Sequence, residues 1–389
     1  MRTPFDLLAI FIVFLTQRHM RRQFLNWAAR RLPPGALRAV HWLVTVFLVC
    51  MAVGFATSFS FLEDGVRLPA APSEVAGAVG QTWFFASTAG YWLYCGFRLL
   101  CNRVWGRTHS PARRRMLNAT GSALLAAPFA IGSYGALVER RSFRVREVDV
   151  PLGGLPADLD GLRILQISDI HLSAFLREQD LARVIDSANE LKANLAVVTG
   201  DLISSRGDPL DACIRQIARL KSDAGTWGCM GNHERYARVE SYTASASACA
   251  GVRFLRSQAT PLRFGNSVLN LAGVDYQPLS SSRNYLAGAN RLVTPGAVNV
   301  LLSHNPDVFP VAVHQGYNLL LAGHTHGGQV TVEILDQAIN PARFFTAYVY
   351  GLYRRQSAAA YVTRGIGTIG IPARIGAPPE ISILRLRKA

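Results

Sequence analysis

The chain has 389 residues, half of them hydrophobic, with 41 basic and 25 acidic side chains and a formal charge of +16. That length supports a large core and two or more units, and it excludes a disulfide miniprotein, a disordered chain and a short peptide. A strongly basic chain raises nucleic acid as a partner, but the hydrophobic content argues against that as the main function.

Charge and hydrophobicity fall together at the N-terminal end. Residues 1–150 hold 18 arginines, no lysine and 7 acidic residues, a net of +11, which leaves +5 for the rest. Three uncharged stretches of 23 residues lie there: Val40–Leu62, Val75–Phe97 and Met116–Val138. About 20 helical residues cross a hydrocarbon core. A fourth run, Phe5–Leu15, is shorter and contains Asp6, so it reads as either an interfacial segment or a marginal span. Arg18, Arg21, Arg22, Arg30, Arg31 and Arg38 precede the first long stretch, and Arg103, Arg107, Arg113, Arg114 and Arg115 follow the second. The intervening loop, Glu63–Glu74, has Arg67 against three acids. Basic loops stay cytoplasmic, so the third stretch would carry the chain outward and leave all later residues extracytoplasmic. Arg140, Arg141, Arg144 and Arg146, just past that stretch, count against this orientation. Arg113-Arg114-Arg115-Met116-Leu117-Asn118 resembles a twin-arginine export signal. It comes after two other stretches and precedes no small-x-small cleavage site, so the third stretch is read as a retained anchor. The expectation is a membrane anchor over 1–145, with three or four transmembrane helices, and a second domain over 146–389. The six cysteines imply no disulfide framework and have no metal-like spacing.

From about Glu147 short apolar runs alternate with amphipathic segments. Arg163–Ile167, Leu195–Thr199 and Thr226–Met230 read as strands. Leu181, Val184, Ile185, Ala188 and Leu191, and then Leu210, Cys213, Ile214, Ile217 and Leu220, fall at helical spacing. Strand and helix in this alternation predict βαβ crossovers and a largely parallel sheet. Ser267–Val274, Val298–Leu302 and Asn318–Leu321 read as further strands. The alternating runs Gln329–Ile334, Ala359–Thr363 and Glu380–Leu386 predict a second, more antiparallel sheet packed on the first.

Five of these strands end in polar residues: Asp169 and His171, Asp201, Asn232 and His233, His304, and His324 and His326. Sites in α/β folds form at the carboxyl ends of strands. Five of the six histidines beyond residue 150 belong to this set; only His314 does not. Asp169 and His171 are two apart, as are His324 and His326, so each pair can point to one side. Asp201 offers a carboxylate that can bridge two cations. Mixed oxygen and imidazole donors without thiolate suit two divalent ions, Mn, Fe or Zn, rather than calcium. Two such ions clamp phosphorus for in-line displacement and acidify a shared water to hydroxide near neutral pH.

The series Asp169-x-His171, Gly200-Asp201, Gly231-Asn232-His233-Glu234, Ser303-His304 and Gly323-His324-x-His326 resembles the calcineurin-like metallophosphoesterases over about residues 147–389. His324-Thr325-His326-Gly327-Gly328-Gln329 is similar to the membrane-associated or exported bacterial subgroup. So is the tail with Arg364-Gly365-Ile366-Gly367-Thr368, Pro372, Arg374, Gly376 and Pro378-Pro379-Glu380-Ile381. Glu234 stands where the family more often has Asp. The resemblance implies an α/β architecture: N-terminal transmembrane helices followed by a four-layer αββα sandwich with a dinuclear site. It implies Asp169, His171, Asp201 and His326 on one metal and Asp201, Asn232, His304 and His324 on the other. His233 would be a non-ligand acid that protonates the leaving oxygen or steadies the phosphoryl charge. It also implies a multi-pass protein of the bacterial inner membrane.

The implied activity is hydrolysis of phosphate mono- or diesters by a metal-bridging hydroxide. Two alternatives stay open. One is a UDP-diacylglucosamine-type lipid-nucleotide pyrophosphatase, which would act at the cytoplasmic face; the other is a non-catalytic metal-binding membrane protein. The substrate is a phosphoester, lipid-linked in the first alternative. Arg283, Arg291, Arg343, Arg354, Arg355 and Arg374 are candidates for a second phosphate, and Tyr276–Asn290 for a substrate-side loop.

Overall fold

Three of the four long N-terminal helices open on the residue that pre-sets helical φ and has no N–H to lose, proline. In the computed structural model, which describes residues 4–57, 70–105, 110–334 and 337–389, they are α1 (Pro4–Ala29), α2 (Pro34–Thr57), α3 (Ala70–Trp105) and α4 (Pro111–Leu137). The chain divides into two compact units, 1–134 and 135–389.

In the first unit, among the described residues, two helices are long and apolar enough to cross a membrane: Pro34–Thr57, and Pro111–Arg141 with its short helical extension. The predicted Val75–Phe97 stretch lies in α3, whose Gly, Ser, Thr, Gln, Trp and Tyr content leaves it short of that apolarity, and Phe5–Leu15 lies in α1. Residues 58–62 of the first predicted stretch fall outside the described residues. Large apolar side chains point outward on α2 (Trp42 69 % exposed, Leu43 70 %), α3 (Leu99 67 %) and α4 (Met116 59 %). Polar side chains turn inward between helices instead. Gln17 donates to Ser87 (2.8 Å), Trp92 Nε1 donates to Thr16 (3.1 Å), and Arg21 donates to Thr45 (3.1 Å). This inside-out arrangement is how helices pack in lipid.

The second unit contains two six-stranded sheets. The first runs in the order β1 (Arg144–Leu152), β14 (Glu380–Lys388), β2 (Arg163–Ile167), β3 (Leu195–Val198), β4 (Thr226–Gly228) and β5 (Val252–Phe254). The second runs β12 (Gly351–Arg355), β13 (Ala358–Val362), β9 (Leu319–Ala322), β8 (Val298–Leu302), β7 (Ser267–Gly273) and β6 (Gln258–Phe264). β10 (Val332–Ile334) and β11 (Gln337–Ile339) form a separate hairpin.

Side chains alternate between layers. Ile164, Leu195 and Val197 of the first sheet meet Leu271, Val300, Leu302 and Leu321 of the second in a buried middle layer. Leu165, Ala196 and Val198 face the other way, onto α5 (Glu178–Glu190) and α6 (Leu210–Ile217) through Leu181, Val184, Ile185, Cys213 and Ile217. Between β4 and β5 the chain forms α7 (Asn232–Ala237) and α8 (Glu240–Cys249). Leu301 and Leu320 pack outward against α9 (Phe309–Gln315). The αββα sandwich is thus present, with strands buried on both faces as near-continuous apolar runs.

The predicted division of strands needs correcting. Both sheets are mixed, and the second is mainly parallel: β13, β9, β8 and β7 pair in parallel, with β12 and β6 antiparallel at its edges. The three tail runs separate. The first enters the hairpin and the second joins β9. The third crosses to the first sheet, where β14 lies parallel to β1 and antiparallel to β2. Alternation along a strand reports burial but not its partner, so these long-range pairings left no local mark.

Candidate metal centre

Each of the five central strands stops, and the chain turns sharply within two or three residues. Asp169, His171, Asp201, His324 and His326 all have positive φ, between 48° and 74°. Such left-handed backbone is uncommon for side-chain-bearing residues and gathers at functional sites. The turns are tied together by backbone bonds: Asp169 N to Gly200 O, His171 N to Asp201 O (both 3.0 Å) and Gly323 N to His304 O (3.1 Å). Ile366 N and Gly367 N donate to Ser168 O (3.0 Å) and Asp169 O (2.7 Å), adding the 364–378 loop. Gly231 and Gly323 must lack a Cβ, because one would run into the carboxylates of Asp201 and Asp169.

All eight predicted residues come together. Asp169, His171, Asp201, Asn232, His304 and His326 are buried, while His233 and His324 are half-buried on the open side. Donor atoms of Asp169, His171 and His326 lie within 4.8 Å of one another, as do those of Asp201, His304 and His324. A third such group joins His171, Asp201 and His233. His326 Nε2 is 3.4 Å from Asp169 Oδ1, and His304 Nε2 and His171 Nε2 are 3.0 and 3.5 Å from Asp201 Oδ2.

This donor set fits a metal. The ion-pair partners of the two buried carboxylates, among the described residues, are histidines alone. Asn232 Oδ1 is buried without a hydrogen-bond partner, a costly state unless a cation is held there. His304 Nδ1 donates to Thr199 O (2.6 Å), which directs the other ring nitrogen inward. The Nε2 atoms of His171 and His326 face each other at 3.1 Å.

The electrostatics agree. Burial, helped by nearby imidazoles, pushes His171 down to about 3 and His324 to about 4, and drives His326 well below the usual range. These rings are neutral, the ligand form. Burial pushes Asp169 up to about 6 against the pull of His304. Burial would likewise raise Asp201, but His304 and His233 outweigh it and hold that carboxyl well below its usual value. Burial opposes a proton on His304, yet Asp201 and Asp169 win and raise it to about 10. In the bare chain that proton balances the carboxylates; a cation does the same.

Two buried charges complete the scaffold. Glu234 accepts from three backbone N–H groups: Leu202 (2.7 Å), Gly231 (2.8 Å) and Asp201 (3.0 Å). It fixes the Asp201 and Asn232 turns to each other. The Gly-Asn-His-Glu run marked this residue, but nothing in the sequence disclosed its three partners. Arg374 is no phosphate ligand: it is fully buried and donates to the carbonyls of His326, Arg364, Gly365, Gly367 and Ala377. The other five candidate arginines are exposed. Of the Tyr276–Asn290 segment, Tyr276 borders the centre, its ring 5.5 Å from that of His324.

Residues 162–328 match the family model for calcineurin-like phosphoesterase. The chain is 30 % identical over 282 residues to the uncharacterized metallophosphoesterase YkuE of Bacillus subtilis, covering 71 % of this chain and 98 % of that one. It is 32 % identical over 269 residues to the zebrafish (Danio rerio) transmembrane protein with metallophosphoesterase domain, covering 66 % of this chain and 60 % of the relative. Phosphodiesterase YaeI of Escherichia coli is 28 % identical over 230 residues, 58 % of this chain and 82 % of that one. With that likeness and this strand-end cluster, the chain belongs to the calcineurin-like metallophosphoesterases and is a phosphoester hydrolase.

Proposed function

We propose that the chain hydrolyses phosphate mono- or diesters at a two-cation centre. Asp169, His171, Asp201 and His326 would hold one ion, and Asp201, Asn232, His304 and His324 the other. The observation that carries this is the buried Asn232 Oδ1 without a hydrogen bond beside two carboxylates whose ion-pair partners, among the described residues, are histidines alone. Four ligand imidazoles, three oxygen donors and no thiolate suit Mn, Fe or Zn. When bound, such ions supply Lewis acidity that polarises phosphoryl oxygens and acidifies water.

The chain's own groups do the rest. Asp201 reaches both halves of the cluster, and its Oδ1 accepts from His233 N at 2.9 Å, which holds His233 beside them. His233 Nδ1 donates to the Ser204 carbonyl, so Nε2 is the nitrogen that exchanges a proton. On the open side it serves as the acid for the departing alkoxide. The name of the E. coli relative favours a diester.

The test is to strip the purified full-length chain with a chelator and restore Mn, Fe, Zn or Mg singly. Bound metal is counted, and hydrolysis of p-nitrophenyl phosphate and bis-p-nitrophenyl phosphate is followed. Two ions per chain with restored turnover is the expected result. Turnover indifferent to the chelator, or full turnover at one ion per chain, overturns the reading.

The N-terminal residues, 1–145, are proposed as a multi-pass anchor in the cell membrane, with 146–389 as the catalytic domain on the outer side. The outward-facing apolar side chains and the arginine-rich flanks support this. A C-terminal reporter active only outside the membrane should give signal. A signal only from a cytoplasmic reporter would favour the lipid-nucleotide pyrophosphatase reading.

A further inference from the structure

A sixth strand end comes to the metal centre without bringing a predicted metal donor. β13 runs parallel to β9 with Val362 opposite Ala322, and Thr363 N donates to Ala322 O (3.1 Å). Arg364 thus leaves β13 in the register at which His324 leaves β9, on the next strand over. A Cβ on Gly365 would lie 2.6 Å from Asp169 Cβ, and one on Gly327 would lie 2.8 Å from Arg364 Cγ. The residue after Arg364 therefore lies against Asp169, and the stem of Arg364 lies against the residue after His326. Arg374 holds the Arg364 carbonyl at 2.8 Å.

The guanidinium is steadied by its face and by one edge. Its Cζ stands 4.2 Å from the centre of the Tyr350 ring, a cation–π contact. Tyr350 is tied to the metal loop, because its neighbour Val349 accepts from Thr325 Oγ1 (2.5 Å), between His324 and His326. Nε faces Glu380 Oε2 at 3.9 Å, too far for a hydrogen bond, and is buried without any such partner. Glu380 Oε1 already accepts from Tyr361 Oη (2.5 Å) and Ser382 Oγ (2.7 Å), and its Oε2 also faces Arg146 at 4.0 Å. Among the described residues that carboxylate is the one ion-pair partner of both arginines, so a positive charge is left over. The Arg364 side chain is 15 % exposed and, among the described residues, donates no hydrogen bond. A guanidinium largely out of water, with its planar fork still open, suits an oxyanion that accepts from two nitrogens at once.

We propose that Arg364 is a substrate-binding residue, whose open fork takes a phosphate group of the substrate: the reacting one, or a second one beside it. The proposal deepens the phosphoesterase reading and rests on it, but not on the number of cations. Arg374 then acts through Arg364, by fixing the backbone from which that side chain reaches out.

The test is titration calorimetry of the full chain, in detergent and reloaded with Mn, against two ligands that cannot be hydrolysed: propylphosphonate and propane-1,3-bisphosphonate. Metal content and melting temperature are measured on each sample. R183A, exposed on α5 and paired with Asp180, is the control. R364A should weaken binding by about tenfold or more, the effect of losing charged hydrogen bonds, with metal content and melting temperature kept. R364K, which keeps the charge but loses the planar fork, should recover part of that loss. Weakening on both ligands places the guanidinium on the reacting phosphate; weakening on the bisphosphonate alone places it on a second one. Where R364A fails to fold, R364Q carries the same test. Affinities within about twofold of the parent on both ligands overturn the proposal. Loss of metal with affinity would make Arg364 a prop for the His326 loop and overturn it too. A parent chain that binds neither ligand would remove the phosphoesterase reading, and the proposal with it.

Discussion

One methyl group added at Gly231 would displace the Asp201 carboxylate without removing any functional group. Gly231 has φ −94° and ψ −175°, backbone that alanine adopts freely. Its Cβ would press hardest on Asp201 Oδ1, and would lie 2.5 Å from Asp201 N and 2.8 Å from Asp201 Cγ, where ordinary contact begins at 3.4 Å. The Asp201 backbone must therefore retreat by about 0.9 Å and its carboxylate by about 1 Å or more, and overpacking of this kind costs about 1–3 kcal/mol. A misplacement of about 1 Å can lower a rate roughly 100-fold, about 2.7 kcal/mol of barrier. Gly231→Ala should thus reach the membrane folded, yet lose roughly two orders of magnitude in kcat for bis-p-nitrophenyl phosphate. Gly153→Ala is the control, since its Cβ would meet nothing nearer than Ser357 Cβ at 3.6 Å. The assay is turnover alongside metal content, both per folded chain. A Gly231→Ala enzyme within threefold of the parent at full metal occupancy would refute the claim that Asp201 is held to sub-ångström tolerance.

Asp201→Ala and His304→Ala should each abolish turnover and lower bound metal, whereas His233→Ala should keep its metal and lose roughly 10²–10⁴ in kcat; elemental analysis beside kinetics separates the two classes. Glu234→Gln sets an amide N–H against the Leu202 N–H, losing a charged hydrogen bond and orphaning a buried donor. A loss of about 3 kcal/mol is expected, a fall of roughly 6–12 °C in the melting temperature of the reconstituted chain, and an unchanged melting temperature would contradict it. Acid should loosen the metal-free site. His171 and His324 lie near 3 and 4 when folded but near 6.5 when unfolded, so the unfolded chain takes up protons first and stability is lost as pH falls below about 6.5, only partly offset by His304 and by Asp169, which is raised to about 6. Hydrogen exchange at residues 168–172 and 323–327 of chelator-treated protein, corrected for chemical rate, should be faster at pH 5 than at pH 7, and equal rates would oppose this.

The site was legible in the sequence for a physical reason. A buried strand is a short apolar run, and polar residues placed right at its end have few roles outside a site. The ends of β2, β3, β4, β8 and β9 therefore announced Asp169, Asp201, Asn232, His304 and His324 before any fold was known. Arg374 defeated the same reasoning, since a guanidinium that caps five carbonyls is spelled like one that waits for phosphate. Two of the three partners of Glu234, Asp201 and Leu202, come from another turn, and contact across turns has no local signature. Hydropathy gave α2 and α4 clearly, but α3 is packed through its own Gly80 and Gly90 against its neighbours, and the small residues that allow this dilute its apolar signal.

The position of β14 has a consequence for biosynthesis. Residues 380–388 fill the place between β1 and β2, so the first strand of the catalytic unit has no partner until they have left the ribosome. By then the upstream helices have long been available to the insertion machinery. A late-arriving strand next to the sheet edge makes the pairing of β1, and with it completion of the first sheet, one of the last steps of assembly.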